Sequence, residues 1–345
     1  MHSEFFLVRI SRSLNPAQSI VSWVLEGKVL RFHPAERTIM LATAALAVAC
    51  FVLAYLKDVG IEPWTFTATG IFAVVAIALG QFYRIVRDGE RIALTAIAIG
   101  LFAPWTFVGW TYNILLLPRY AAPIDPILVQ ADALFGYSWP AICAWIAQYP
   151  QISELLRQVY NLTLVQLLFT FMFLGFALDR PRLHAAAMAM VLASLMTIFC
   201  WGMFPSNGAS AYWTLDPAID RIVRPVVDSS YGAELNRQLV EGVRSVSDVK
   251  ATGLIGFPSF HTVMALMTLV AAWPYRIARL VLIVVNAALF PAILIHGGHN
   301  LMDVFGGVAV TLISWFLAVR IYGAQDAHEK ARTGAALASS PVQAA

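Results

Sequence analysis

The sequence predicts an all-α integral membrane protein with about eight transmembrane helices. Composition is the first reason: of 345 residues, 59% are hydrophobic and only 12% charged, whereas a soluble domain carries about 25% charged residues. The second is the recurrence of apolar runs near the ~20 residues that cross a bilayer as a helix. The third is an alternation in the connections, basic on one side and poor in Lys and Arg on the other, as in a chain threaded back and forth through a membrane. The formal net charge of +3 decides nothing by itself. The three cysteines make no disulfide framework. Cys50 and Cys200 sit in apolar runs and Cys143 stands alone in a connection, so all three read as small buried hydrophobes.

Residues 1–37 read as an arm rather than a secretory signal. Arg9, Arg12, Lys28, Arg31 and Arg37 are interrupted by Asn15-Pro16 and His33-Pro34, and no small-residue cleavage site follows. Phe5, Phe6, Val21, Trp23, Val24, Leu25 and Leu30 suit interfacial helices lying on the membrane. The membrane domain occupies 38–322, with candidate spans at 39–57, 65–83, 92–117, 159–178, 183–204, 258–273, 277–295 and 300–322. The sixth is short and requires its N-terminal turn to dip toward a cavity. Residues 121–157, with Asp125, Asp132, Trp139 and Trp145, are too polar for a span and too apolar for free solvent, which suits re-entrant or interfacial helices. A long loop, 205–257, separates the fifth and sixth spans. The tail, 323–345, reads as disordered. No internal repeat, Gly-rich phosphate loop or nucleic-acid signature is present.

The basic connections orient the chain. Arg84, Arg87 and Arg91, then Arg180 and Arg182, Arg276 and Arg279, and finally Arg320, Lys330 and Arg332 fall on one side. The other side holds Lys57, then Arg119 and Arg157, and the 205–257 loop. The positive-inside rule places both termini in the cytoplasm. The lack of eukaryotic targeting features suits a bacterial inner membrane. By the same parity, the sixth and eighth spans both begin on the non-cytoplasmic face. That brings together Gly256-Phe257-Pro258-Ser259-Phe260-His261 and His299-Asn300-Leu301-Met302-Asp303, two segments about forty residues apart.

Ionisable residues at membrane depth are read as functional by default. His299 and Asp303 are four apart and share a helical face. A carboxylate bonded to one imidazole nitrogen fixes the tautomer and frees the other nitrogen to attack or to accept a proton. Pro258 suits a first helical turn, and the turn's N–H groups favour an anion such as phosphate. Ser259 offers one more hydrogen bond there, and His261 can protonate a leaving alkoxide. Taken singly, a His in a span is usually a packing residue and an Asp at a helix start a cap. Their convergence on one face favours function. His296-Gly297-Gly298-His299 invites a metal reading, but no further His or Cys completes a ligand set. His296 then lines the site or faces headgroups, and no metal or cofactor is expected.

Phe257-Pro258-Ser259-Phe260-His261 with His299-x-x-x-Asp303-Val304-x-x-Gly307 resembles the type 2 phosphatidic acid phosphatase superfamily, and more narrowly the branch that includes inositol phosphorylceramide synthases. Asp125 to Pro140, Tyr160 and Phe204-Pro205 are similar to segments of that branch. The resemblance covers roughly residues 90–320. It implies a six-helix phosphatidic acid phosphatase-like core, a phosphohistidine formed on His299, orientation by Asp303, and general acid catalysis by His261. The chain departs from the broader family's Lys-(six residues)-Arg-Pro motif and from its Arg before the last histidine. Arg180-Pro181 is on the wrong face, Phe173 stands where the Lys belongs, and Ile293 stands six before His299. The non-cytoplasmic candidates to meet the phosphate charge are Arg119, Arg157, Arg244 and Lys250. Arg157 ranks first for phosphate binding, with Lys250, Tyr160 and His296 as further substrate contacts. Two function classes stand: a lipid phosphate phosphatase or phosphotransferase taking its substrate from the bilayer, or a non-catalytic transporter or lipid-binding protein using the His/Asp cluster as a proton relay. Paired halves with interrupted helices, common in transporters, are absent. The 205–257 loop, with Tyr212, Trp213, Arg221 and Arg224, is the expected lid.

Overall fold

A computed structural model describes residues 30–249 and 253–338. The interfacial helices expected in the first 29 residues, Lys250, and residues 339–345 lie outside the described residues. Among the described residues, no strand forms, only an isolated bridge between Gly60 and Ser245.

Three long helices open the bundle: α1 (Pro34–Lys57), α2 (Pro63–Ile85) and α3 (Glu90–Leu115). Two short ones follow, α4 (Asp125–Leu134) and α5 (Trp139–Ile146), within the segment expected to be re-entrant or interfacial. Then come α6 (Pro150–Asn161), α7 (Thr163–Phe176) and the long α8 (Arg180–Met203). The 205–257 loop is largely structured, with α9 (Ala209–Tyr212), α10 (Pro217–Val223), α11 (Ser229–Glu241) and a 3₁₀ turn (Val246–Asp248). The chain ends with α12 (Phe260–Ala271), α13 (Arg276–His296) and α14 (Leu301–Ala338).

Every expected span falls on a helix, but the spans are of three kinds. Six (α1, α2, α3, α8, α13, α14) are long and apolar enough to cross a membrane. The fourth, α7, is one arm of a pair bent by 49° against α6. The helix breaks at Leu162, where the Thr163 hydroxyl donates to the Tyr160 carbonyl at 2.7 Å. The sixth, α12, has only 12 residues. Apolar side chains such as Phe51, Val74, Val284 and Phe316 point outward, as a lipid-facing surface requires. The protein is an integral membrane protein.

The tail expected to be disordered from 323 is instead helical to Ala338. Its Ala, Gln, Glu and Lys content favours helix. Asp326 also pairs with Lys330 one turn on, at 2.7 Å, a spacing that supports helices.

The core lies between α3, α7, α8 and α12, where Phe102 meets Phe171 edge-on at 5.1 Å. At one end of the bundle an ion network ties α1, α2, α3 and α8. Arg84 reaches Glu36 with both guanidinium nitrogens, at 2.7 and 2.9 Å, and Glu90 at 2.9 Å. His184 lies 3.4 Å from Glu36. The other end gathers the C-termini of α3, α8 and α13 and the N-termini of α12 and α14; it is called here the site end.

Candidate active site

Ser259 caps α12, its Oγ accepting the Thr262 N–H at 3.3 Å. Helix α12 therefore starts at Phe260, and Pro258 stands before the cap rather than in the first turn. Helix α14 packs directly beside it: a Cβ on Gly307 would lie 2.6 Å from the Ser259 carbonyl, so only glycine permits this approach. The Ser259 N–H donates to the Asp303 carbonyl at 2.9 Å and locks the two helix starts together.

This contact assembles the cluster. Asp303 Oδ2 lies 3.0 Å from His299 Nδ1 and accepts the Asn300 N–H at 2.9 Å. With Nδ1 facing a carboxylate, it carries the proton, and Nε2 presents its lone pair. Ser259 Oγ lies 3.3 Å from Nε2. The His261 ring stands 6.2 Å from the His299 ring, centroid to centroid. It is stacked on Tyr160 at 4.4 Å, with the Tyr160 hydroxyl 3.5 Å from His261 Nδ1. Asp303 and Ser259 are fully buried, and His299 is only 4% exposed. Thus His299, Asp303, His261, Ser259 and Tyr160 come together, though the two motifs and Tyr160 are far apart in sequence.

Beneath the two histidines lies a cavity of about 220 Å³, lined by α3, α8, α12, Tyr160 and parts of the 205–257 loop. Among its described lining residues there is no Arg, Lys, Asp or Glu. Arg157, ranked first for phosphate, is not among them. It forms a two-pronged pair with Glu154 on its own helix, at 2.8 and 2.9 Å. Arg119 donates to the Gly202 carbonyl, and Arg244 is exposed beside the 3₁₀ turn. Lys57 spends its ammonium on the Leu115 and Leu117 carbonyls, both at 2.8 Å. Arg180 sits at the opposite end, 3.6 Å from Asp326. His296 also departs from expectation. It is fully buried outside the cavity lining, and its carbonyl accepts the Val227 N–H, while Gly297 and His299 reach the cavity.

The α4–α5 segment supplies residues that sequence reasoning did not single out. Asp132 accepts the Leu301 and Met302 N–H groups at 2.8 and 2.9 Å and so caps α14 immediately before Asp303. Tyr137 O–H donates to the His299 carbonyl at 3.0 Å. Asp125 accepts from Ser206 Oγ at 2.8 Å, Asn207 N–H at 3.1 Å and Gly208 N–H at 2.9 Å. That turn forms part of the cavity wall. It fits only because Gly208 has φ +87° and no Cβ, which would lie 2.6 Å from the Gly298 carbonyl. Two carboxylates in an apolar segment were the available signal, and they read only as a limit on its depth. Among the described residues, no three His, Cys, Asp or Glu side chains gather to hold a metal ion.

Fold and site define an integral membrane protein with a buried histidine–carboxylate centre above a largely apolar cavity. Residues 126–317, more than half of the chain, match the PAP2 superfamily, and the chain belongs to it. No curated protein and no solved structure matches significantly. Membership points to phosphatase- or phosphotransferase-type activity on a lipid phosphate.

Proposed function

We propose that the protein transfers a phosphoryl-containing group from a membrane lipid through a phosphohistidine. The observation that carries this reading is the orientation of His299: Nδ1 is held by Asp303 at 3.0 Å, and Nε2 is left facing Ser259 and, across the site, His261. Nε2 attacks phosphorus, the bond to the leaving oxygen breaks, and His261 gives that oxygen its proton. In the second half, the acceptor hydroxyl loses its proton to His261 and takes the phosphoryl group from Nε2. Water as acceptor makes a phosphatase; a lipid or polyol hydroxyl makes a transferase. The chemistry of the five clustered groups requires no metal.

The absence of Lys and Arg from the described cavity lining supports the narrower kinship with inositol phosphorylceramide synthase-like enzymes, which also tend to lack the arginine clamp. Orientation follows from charge. Arg84, Arg87, Arg91, Arg180, Arg182, Arg276 and Arg279 lie in connections at the end opposite the site, so the site end faces away from the cytoplasm, the periplasm in a bacterium.

The test is brief exposure of purified protein to lipid phosphate labelled at phosphorus. Label bound in acid-labile form is expected on the wild type and absent from His299→Asn, whose turnover should vanish while the fold is kept. Full activity in His299→Asn overturns the reading, and a proton relay would take up no label at all. Free phosphate against new phospholipid among the products sorts hydrolysis from transfer.

A further inference from the structure

The cavity below His299 is apolar over most of its wall, yet a band of it toward the site end is polar. Helix α3 contributes Trp110 and Asn113, three apart and so neighbours on one face. Helix α8 contributes Thr197 from the facing wall. Trp110 Nε1, Asn113 Oδ1 and Thr197 Oγ1 are all buried and have no hydrogen-bond partner within the protein. Asn113 is 4% exposed and Thr197 1%.

Thr111 Oγ1 and Trp201 Nε1 on the same helices are also unpaired but do not line the cavity; the polar side chains that line it nearby are satisfied. Deeper in the cavity, Trp105 Nε1 donates to Ser194 Oγ at 2.9 Å, and Ser194 donates to the Val191 carbonyl at 2.9 Å. Thr106 bonds the Phe102 carbonyl one turn back, at 3.0 Å, as a threonine in an apolar helix ordinarily does. Thr197 does not. Buried polar groups are normally paired, and each exception calls for an explanation. Three exceptions on two facing helices, all lining one cavity, mark a place where a ligand bonds.

The level is informative. Helices α3 and α8 both run toward the site end, so Trp110, Asn113 and Thr197 stand on the site side of the deep wall at Phe102 and Met190. From Phe102 to Asn113 the cavity follows α3 for about 16 Å. A lipid with its phosphate at His299 would lay its chains along the deep wall and its head-to-chain linkage at the polar level.

We propose that Trp110, Asn113 and Thr197 form a collar that hydrogen-bonds the polar linkage of the lipid substrate: the Trp110 N–H and the Thr197 hydroxyl donate to an ester or amide carbonyl, and Asn113 Oδ1 accepts from an N–H or O–H beside it where the linkage carries one. The collar selects acyl lipids over isoprenoid phosphates, which carry nothing polar at that level. The proposal rests on the lipid phosphate reading of the site, and it adds specificity residues on α3 and α8 that take no part in the phosphoryl transfer.

The test uses the full-length protein in detergent micelles with three substrates: dioleoyl phosphatidic acid, its dialkyl ether analogue, and farnesyl phosphate. The ether has the same shape and lacks only the two carbonyls. Wild type is expected to favour ester over ether about tenfold in kcat/KM, because a site built to bond a polar group rejects the analogue without it. Trp110→Phe with Thr197→Val, which removes both donors, should slow the ester about tenfold and the ether far less. Trp110→Phe, which removes one N–H and keeps the ring, should do the same to a smaller degree if the double variant fails to fold. A merely structural role would slow both substrates alike. Equal rates for ester and ether in wild type, or an unchanged ratio in the variants, overturn the collar. If no lipid phosphate is turned over, the phosphotransfer reading fails instead. The collar is then judged by thermal stabilisation of the His299→Asn protein: greater stabilisation by ester than by ether supports it, and equal stabilisation leaves the collar as a hydrated wall.

Discussion

Asp303 gives one carboxylate oxygen to both His299 Nδ1 and the Asn300 N–H. An amide in its place offers an N–H or a carbonyl to the ring, and the histidine loses the fixed tautomer that aims a lone pair at the cavity. Asp303→Asn should therefore lower kcat by about 10,000-fold, as loss of an orienting carboxylate does in other His–Asp pairs; steady-state turnover of a lipid phosphate checks it. Asp125 behaves differently, at the start of the short α4 rather than in a spanning segment. Burial pushes its carboxyl up to about 6, outweighing the three donors that favour its charge. Its folded pKa thus exceeds the unfolded value near 4. Ionisation works against the fold, and the stability this group confers is fullest below about pH 4 and is lost as pH rises through 6. Wild type should gain roughly 2 to 3 kcal/mol over Asp125→Asn between pH 7 and 4, read as the divergence of their unfolding temperatures.

At the scale of elements, the start of α14 is the critical joint. Two of its first N–H groups end on Asp132, and the helix that they begin carries Asp303. Asp132→Ala should cost about 1 to 2 kcal/mol of stability, the usual worth of such a cap. It should also slow turnover several-fold through looser placement of His299, measured as Tm and kcat on one preparation. The sequence shows the long helices plainly, because spanning length is written into α1, α2, α3, α8, α13 and α14 as unbroken apolar runs. The two motifs at the starts of α12 and α14 were legible as partners through parity, and the family resemblance that quotes them together agreed. The clasp from Asp132 to α14 was not, since it joins residues 169 positions apart. Nor was the bend at Leu162, which depends on one hydroxyl turning back to a carbonyl. Arg157 is a plainer lesson: Glu154, three residues earlier on the same helix, offered it a partner from the outset.

For the whole molecule, the end opposite the site is held by charge as well as by apolar contact. Arg84 is nearly buried between Glu36 and Glu90 and joins three helices. Removing one member of a buried pair leaves the other charge uncompensated. Arg84→Ala should lower stability by about 3 to 5 kcal/mol, seen as a fall in Tm in detergent. In molecules still folded, kcat should change far less than in Asp303→Asn, because the network lies across the bundle from His299. Stability and chemistry are thus assigned to opposite ends of the same helices.

The clasp between Asp132 and α14 also sets an order in time. A chain is made from its N-terminus, so α4 enters the membrane long before the N–H groups that will engage it exist. His299, Asp303 and the capping partners of Asp132 arrive together at the start of α14. A chain not yet extended to Asp303 is therefore inert, and the reactive centre forms only after every other residue of the site has been made.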